Sequence, residues 1–279
     1  MVILMITLNI KMVFIILNIC VIKIITKFLK ILYINIYMEF AFVTFVNNNI
    51  KYINLMKSTI KSVELFSNYP LILYCVDIPI EINTFKASDK CIIKNITCPE
   101  YLKNSIYYLK PYIILDSIKN GLKNGYYIEA DDLVTPNCNS IINYLSKIDK
   151  YPISPIHPID NIISTNFMTN LNVFSKTQHY IHAHVLFKDS NLKFIEEWLE
   201  NCKISTGECW DESVLNCMYW KYNLKNHYLE IIDPEYNSIH SDNNIIKTAI
   251  TLHGCKNPHE HNKILNKMIY LHKKNLSNI

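Results

Sequence analysis

The chain has 279 residues, half of them apolar, with 28 lysines set against 24 acids and not one arginine. That length and apolar fraction exclude a globally disordered chain and allow a substantial core. A net charge of only +4, scattered lysines and the lack of arginine readers argue against nucleic acid as a partner.

Cysteine and glycine usage narrows the class further. The nine cysteines form no CxxC pair, which excludes a zinc ribbon and a thioredoxin-type motif and leaves buried, reduced thiols in a cytosol-facing protein. With four glycines in all, neither GxxxxGKS/T nor GxGxxG occurs, so the P-loop and dinucleotide-binding classes fail directly.

Residues 1–37 form an apolar N-terminal segment. Thirteen Ile, Leu, Val or Phe fall between positions 3 and 22, each worth roughly −0.3 to −0.6 kcal/mol on insertion. Lys11, Asn9 and Asn18 oppose them, the lysine alone by about +3 kcal/mol, so the sum lies near zero. The segment reads either as a membrane anchor or surface helix, or as a dispensable extension ahead of a start at Met38. Lys23, Lys27 and Lys30 follow the apolar run and would keep the remainder on the cytosolic side.

From Glu39 onward strand and helix signals alternate. FAFVTFV (40–46) is a buried-strand pattern, and residues 50–66 place Ile53, Met56, Ile60, Val63 and Leu65 at helical spacing. LILYCVDI (71–78) and CIIKNI (91–96) are the next strands. A helix over 101–123, interrupted at Pro111, carries Ile114, Ile118 and Leu122 on one face. YYIEADDLV then gives a fourth strand. This β-α-β-α-β order predicts an α/β fold: one domain over 38–279 with a mainly parallel sheet flanked by helices. The middle, 151–190, is loop-rich. Asp189 or Ser190 should cap one helix and Asp211 another. IIKTAITLH (245–253) reads as a last strand, and 259–273 as a closing amphipathic helix. Trp198 and Trp220 sit on helical faces and read as core.

The chemistry concentrates at GYYIEADDLV (125–134). In an open parallel sheet, ligands bind beyond the carboxyl ends of the strands, where Glu129, Asp131 and Asp132 fall. Carboxylates there suit Mg²⁺ or Mn²⁺, which bind through one or two acids plus substrate phosphates. Taken alone the cluster also fits a solvated turn.

YIEADDLV resembles the Tyr-Leu-Asp-Ala-Asp pattern of the GT-A-fold nucleotide-sugar glycosyltransferases, glycogenin- and galactosyltransferase-like, with Glu129 and Asp131 in the two acidic positions. Three further stretches, in the same order, carry the resemblance over roughly residues 39–262. FVTFVNNNIKYI (42–53) looks like the opening strand and loop that receive the nucleoside, which implies Thr44, Phe45, Asn47 and Tyr52 as nucleotide-sugar contacts. WDESVLN (210–216) looks like the helix start facing sugar and acceptor, which implies Asp211 and Glu212 as catalytic carboxylates. TLHGCKNP (251–258) resembles the His-x-x-Gly-x-x-Lys element in compressed form. It implies His253 as a third metal ligand and Gly254 and Lys256 at the diphosphate. Two departures stand out: Glu129 replaces the usual first Asp, and Asp132 adds an acid.

The resemblance implies a metal-dependent hexosyltransferase that uses a nucleotide-sugar, of UDP type, with Mn²⁺ or Mg²⁺ as cofactor. Its partners are that donor and a glycan, protein or lipid acceptor, with membrane association only through residues 1–37. An inactive transferase-like binding protein and a metal-dependent phosphoryl hydrolase are the alternatives, the latter short of further strand-end acids beyond Asp77. In HYIHAH, strand alternation puts His182 and His184 on one face and His179 opposite. No cysteine or carboxylate follows at a ligand spacing. The run therefore reads as partly buried packing, with acceptor-pocket lining and a zinc site as lesser readings.

Overall fold

A computed structural model describes residues 38–79, 81–82, 84–103, 106–157, 163–182, 184–204, 211–229, 243–253 and 257–276. The anchor-or-extension reading of 1–37 lies outside them; among the described residues no helix is long and apolar enough to cross a membrane. Glu39–Ile279 makes one compact unit.

The first strand, β1 (Ala41–Asn47), is almost wholly buried, as its β-branched and aromatic run requires. Asn49 caps helix α1 (Ile50–Phe66) by accepting a hydrogen bond from the Lys51 N–H. Strand β2 (Leu71–Val76) stops two residues short of the expected 71–78, where Asp77 takes a positive φ, and β3 (Cys91–Ile96) has the expected limits. The predicted helix over 101–123 is shorter, with 3₁₀ turns leading into α2 (Leu109–Lys119). Pro111 does not interrupt this helix. It lies in the first turn, where its missing N–H costs no intrahelical bond.

Next come β4 (Asn124–Tyr127), β5 (Leu133–Val134), a 3₁₀ segment over Cys138–Lys147, β6 (Ser154–Pro155), α3 (Thr165–Asn170) and β7 (Leu186–Lys188). Helices α4 (Leu192–Ile204) and α5 (Asp211–Lys221) precede β8 (Tyr228–Leu229). The chain closes with α6 (Asn243–Thr248), β9 (Thr251–Leu252) and α7 (Pro258–Leu276).

The main sheet has the order β3-β2-β1-β4-β7, the first four strands parallel and β7 antiparallel at the edge. Phe42, Val46, Leu71, Leu73 and Cys75 share a core with Ile53, Met56 and Val63 of α1 and with Ile264, Leu265 and Met268 of α7. Tyr74 points the other way, and its hydroxyl bonds Asp116 and Ser117 of α2. The sheet is thus covered on both faces, as a parallel sheet needs. In β4, Gly125 lies opposite Phe187, and a Cβ there would stand 2.4 Å from the Phe187 ring. Only glycine lets the edge strand approach so closely.

A predicted strand near the chain's end is also corrected. IIKTAITLH is not one strand: residues 243–248 are helical and only Thr251–Leu252 pair as a strand. Ile246, Ala249 and Ile250 are buried at i, i+3 and i+4, a spacing that a short β-branched run hides. Trp198 and Trp220 are core residues, and the described cysteines (75, 91, 98, 138, 202 and 217) are buried and form no disulfide.

Candidate active site

The strand order reverses between β1 and β4, because β2 and β3 lie to one side of β1 and β4 to the other. Such a switch point opens a crevice beyond the carboxyl ends of the two strands. The chain leaves β4 there through Ile128, whose N–H still bonds Val43, and turns sharply at Glu129 to Asp132. Asp132 N–H donates to the Glu129 carbonyl at 3.1 Å, and Glu129 N–H donates to Asp132 Oδ2 at 2.6 Å. Thr59 of α1 holds the turn from behind, its hydroxyl 3.0 Å from the Ala130 carbonyl and 2.6 Å from that of Asp132.

Antiparallel pairing of β5 with β9 sets Leu133 against Leu252, which brings Asp132 level with His253. His253 Nδ1 lies 2.8 Å from Asp132 Oδ1, and its Nε2 faces Glu129 Oε2 at 3.8 Å. His184 Nε2 lies 2.6 Å from Asp132 Oδ2. Asp132, fully buried, therefore accepts from two imidazoles and a backbone N–H. Burial would push its carboxyl up, but His184 and His253 outweigh that and hold it far below the usual carboxylate range. His253 responds in the opposite sense: burial would lower it, yet Asp132 and then Glu129 raise it to about 10.

On the far side of Glu129 stands Lys110 of α2, its side chain 5% exposed, with Nζ 2.7 Å from Glu129 Oε1 and 2.9 Å from Asp211 Oδ2. Burial alone would pull this ammonium down, but Asp211 and Glu129 hold it well above the usual lysine range. Burial likewise raises Asp211, against the pull of Lys110, and raises Glu212. Asp131 is raised by burial, with the Glu129 and Asp132 charges adding to it. The Asp211 carbonyl accepts from Trp198 Nε1 at 3.0 Å, which ties the start of α5 to α4.

Several expected site residues therefore meet. Glu129, Asp131 and His253 offer three ligand atoms within 4.8 Å of one another. Asp211 joins them through Lys110, and Glu212 Oε2 lies 3.6 Å from His182 Nδ1. The phenol of Tyr52, in α1, is raised by burial and then by the Asp131 charge. Thr44, Phe45 and Asn47 lie in β1 beyond Val43, the last residue paired with β4. Thr44 is buried, and its hydroxyl has no hydrogen-bond partner among the described residues. Gly254 and Lys256 lie outside the described residues.

Lys110 escaped the sequence reading, which takes His182 and His184 chiefly as packing. Lys110 stands four and eight residues before Ile114 and Ile118, so it heads their apolar face, and a lysine in that position was the available signal. His182 and His184 do share a face, with Nδ1 atoms 3.0 Å apart. Their carboxylate partners, Asp132 and Glu212, come from distant segments that no local spacing could reveal. Asn216 of α5 fixes this stretch by bonding both the N–H and the carbonyl of Ile181.

No protein-family model matches the sequence, and no curated protein matches it. Solved structures do resemble the fold. A galactosyltransferase, LgtC, in complex with donor and acceptor sugar analogs, superimposes with a TM-score of 0.50 at 12% identity, covering 81% of this chain and 95% of that one. An active-site mutant of LgtC gives the same TM-score and coverage at 14% identity. The chain thus has the α/β architecture of these GT-A-type transferases, with a mostly parallel sheet flanked by helices.

Proposed function

We propose that the chain is a metal-dependent glycosyltransferase that moves a sugar from a nucleotide-sugar, of UDP type, to an acceptor hydroxyl. One observation carries this reading: Glu129, Asp131 and His253 converge at the switch point of a fold shared with a galactosyltransferase crystallised with donor and acceptor sugar analogs. The donor set fits Mn²⁺ or Mg²⁺. Two carboxylates offer hard oxygens, and a bound cation would displace the Nε2 proton of His253 while Asp132 keeps its Nδ1–H, making Nε2 the ligating nitrogen on the Glu129 side. A divalent ion held there supplies Lewis-acid neutralisation of the departing diphosphate.

The chain's own residues do the rest. Lys110 engages one Glu129 oxygen, leaves the other toward His253, and places positive charge beside the leaving group's site. Asp211 is committed to the same lysine, which links the donor side to the start of α5. Glu212, half-buried and raised by burial, is suited to take a proton from an acceptor hydroxyl. Thr44, Phe45, Asn47 and Tyr52 would receive the nucleoside along β1 and α1, with Gly254 and Lys256 at the diphosphate.

A thermal-shift series with Mn²⁺ and UDP- or GDP-sugars tests this. Ligand at about 100 times its Kd should add roughly 2.7 kcal/mol, a rise of several degrees in Tm, only when metal is present. Asp131→Ala should abolish the shift while keeping the fold. No shift with any donor, or a shift retained in Asp131→Ala, overturns the assignment.

A further inference from the structure

Beside the acid turn lies a second group of ligand atoms that the proposed transfer does not need for metal. His157, His182 and Glu212 each offer one donor atom, all within 4.8 Å of one another. The His157 and His182 rings stack with centroids 4.6 Å apart, and His182 Nδ1 is already 3.6 Å from Glu212 Oε2. Zinc–ligand bonds of about 2.0–2.2 Å place tetrahedral ligands roughly 3.4 Å apart, so side chains whose donor atoms lie within 4.8 Å of one another would draw together around an ion.

The hydrogen bonds behind His182 bear on its chemistry. Asp132 takes the Nε2–H of His184, which leaves His184 Nδ1 as an acceptor. In the tautomer where His184 is neutral, His182 Nδ1, 3.0 Å away, is the donor, and His182 Nε2 rather than Nδ1 carries the lone pair open to a cation. That nitrogen is buried and has no hydrogen-bond partner among the described residues. An orphaned acceptor of this kind is costly unless something binds it. Asp132, His184 and His253 also stand within 4.8 Å of one another, but these three already satisfy each other by hydrogen bonds and serve to orient.

We infer that His157, His182 and Glu212 form a second cation site, selective for a Zn²⁺-class ion and distinct from the oxygen-rich site at Glu129 and Asp131. Two imidazoles and one carboxylate favour zinc over magnesium, and three protein ligands leave a fourth position for water or a substrate oxygen. An ion there holds the Glu212 carboxylate that the proposed transfer would use as a base. If that reading is right, zinc occupancy and transfer compete.

The test uses the full chain and metal alone, so it does not depend on any donor. In an Asp131→Asn background, which disables the acid-turn site, equilibrium dialysis should still find one bound Zn²⁺. Co²⁺ in its place should give the intense visible band of tetrahedral coordination. Adding His157→Gln or Glu212→Gln, both at half-exposed positions, should weaken zinc by about tenfold or more. Neither change alone should alter Mn²⁺ binding to the otherwise unaltered chain. The inference is overturned if no zinc binds, if Asp131→Asn removes it, or if both second-site variants bind it unchanged.

Discussion

The two sides of the histidine cluster differ in how their polar groups are satisfied. On the acid-turn side, Asp132 is surrounded by three donors, and Glu129 is gripped by Lys110. On the α5 side, His182 has one nitrogen engaged and one bare. Both regions are buried and rich in titratable groups, yet the first is a closed network while the second has an open valence. The contrast teaches that density of ionisable residues says little by itself. What separates an orienting scaffold from a ligand site is the set of lone pairs left over once internal hydrogen bonds are counted.

Mutations can break the contrast, beginning with the closed side. Asp132→Ala should be the most damaging, since it strands His184 and His253 in the interior. A loss of about 3–5 kcal/mol in urea unfolding is expected, with Asp132→Asn milder because it keeps one acceptor oxygen. A loss below 1 kcal/mol would mean that the network is not load-sharing. Lys110→Met should come next, at about 2–4 kcal/mol, because it leaves Glu129 and Asp211 facing each other without a cation. The partial exposure of Glu129 places the expected value toward the lower end. Adding Asp211→Asn to Lys110→Met should recover part of the loss, and its failure to do so would point to lost lysine packing instead. Thr59→Val should cost least, about 1–2 kcal/mol, by removing the hydroxyl proton shared between the two carbonyls of the turn. Mn²⁺ affinity should fall with it, whereas zinc affinity should not. Equal losses of both metals would erase the distinction between the two sides.

Much of this architecture was legible from the chain. Strands β1 to β3 announced themselves because strands buried on both faces are written in unbroken β-branched and aromatic runs. The acid turn was legible too, since three carboxylates behind Tyr126 and Tyr127 can only mark a place where the chain leaves the sheet. The region around α6 was misread because Ile245 to Ile250 satisfies a buried strand and a short helix face equally well. At Pro111 the expected break became a helix start, because proline's missing N–H is harmless only in the first turn.

The roles within the site divide along a similar line. Sequence by itself determined the sheet, its ligand-binding edge and the carboxylates placed there, because all of these follow from periodicity within a few neighbouring residues. Only the tertiary structure decided that Asp132 orients two imidazoles, that Lys110 bridges Glu129 and Asp211, and that His182 meets Glu212. Each of those relations joins side chains from segments 19 to 121 residues apart. Local spacing carries no information across such distances. Burial then fixes what each pair does, by removing the water that would otherwise satisfy it.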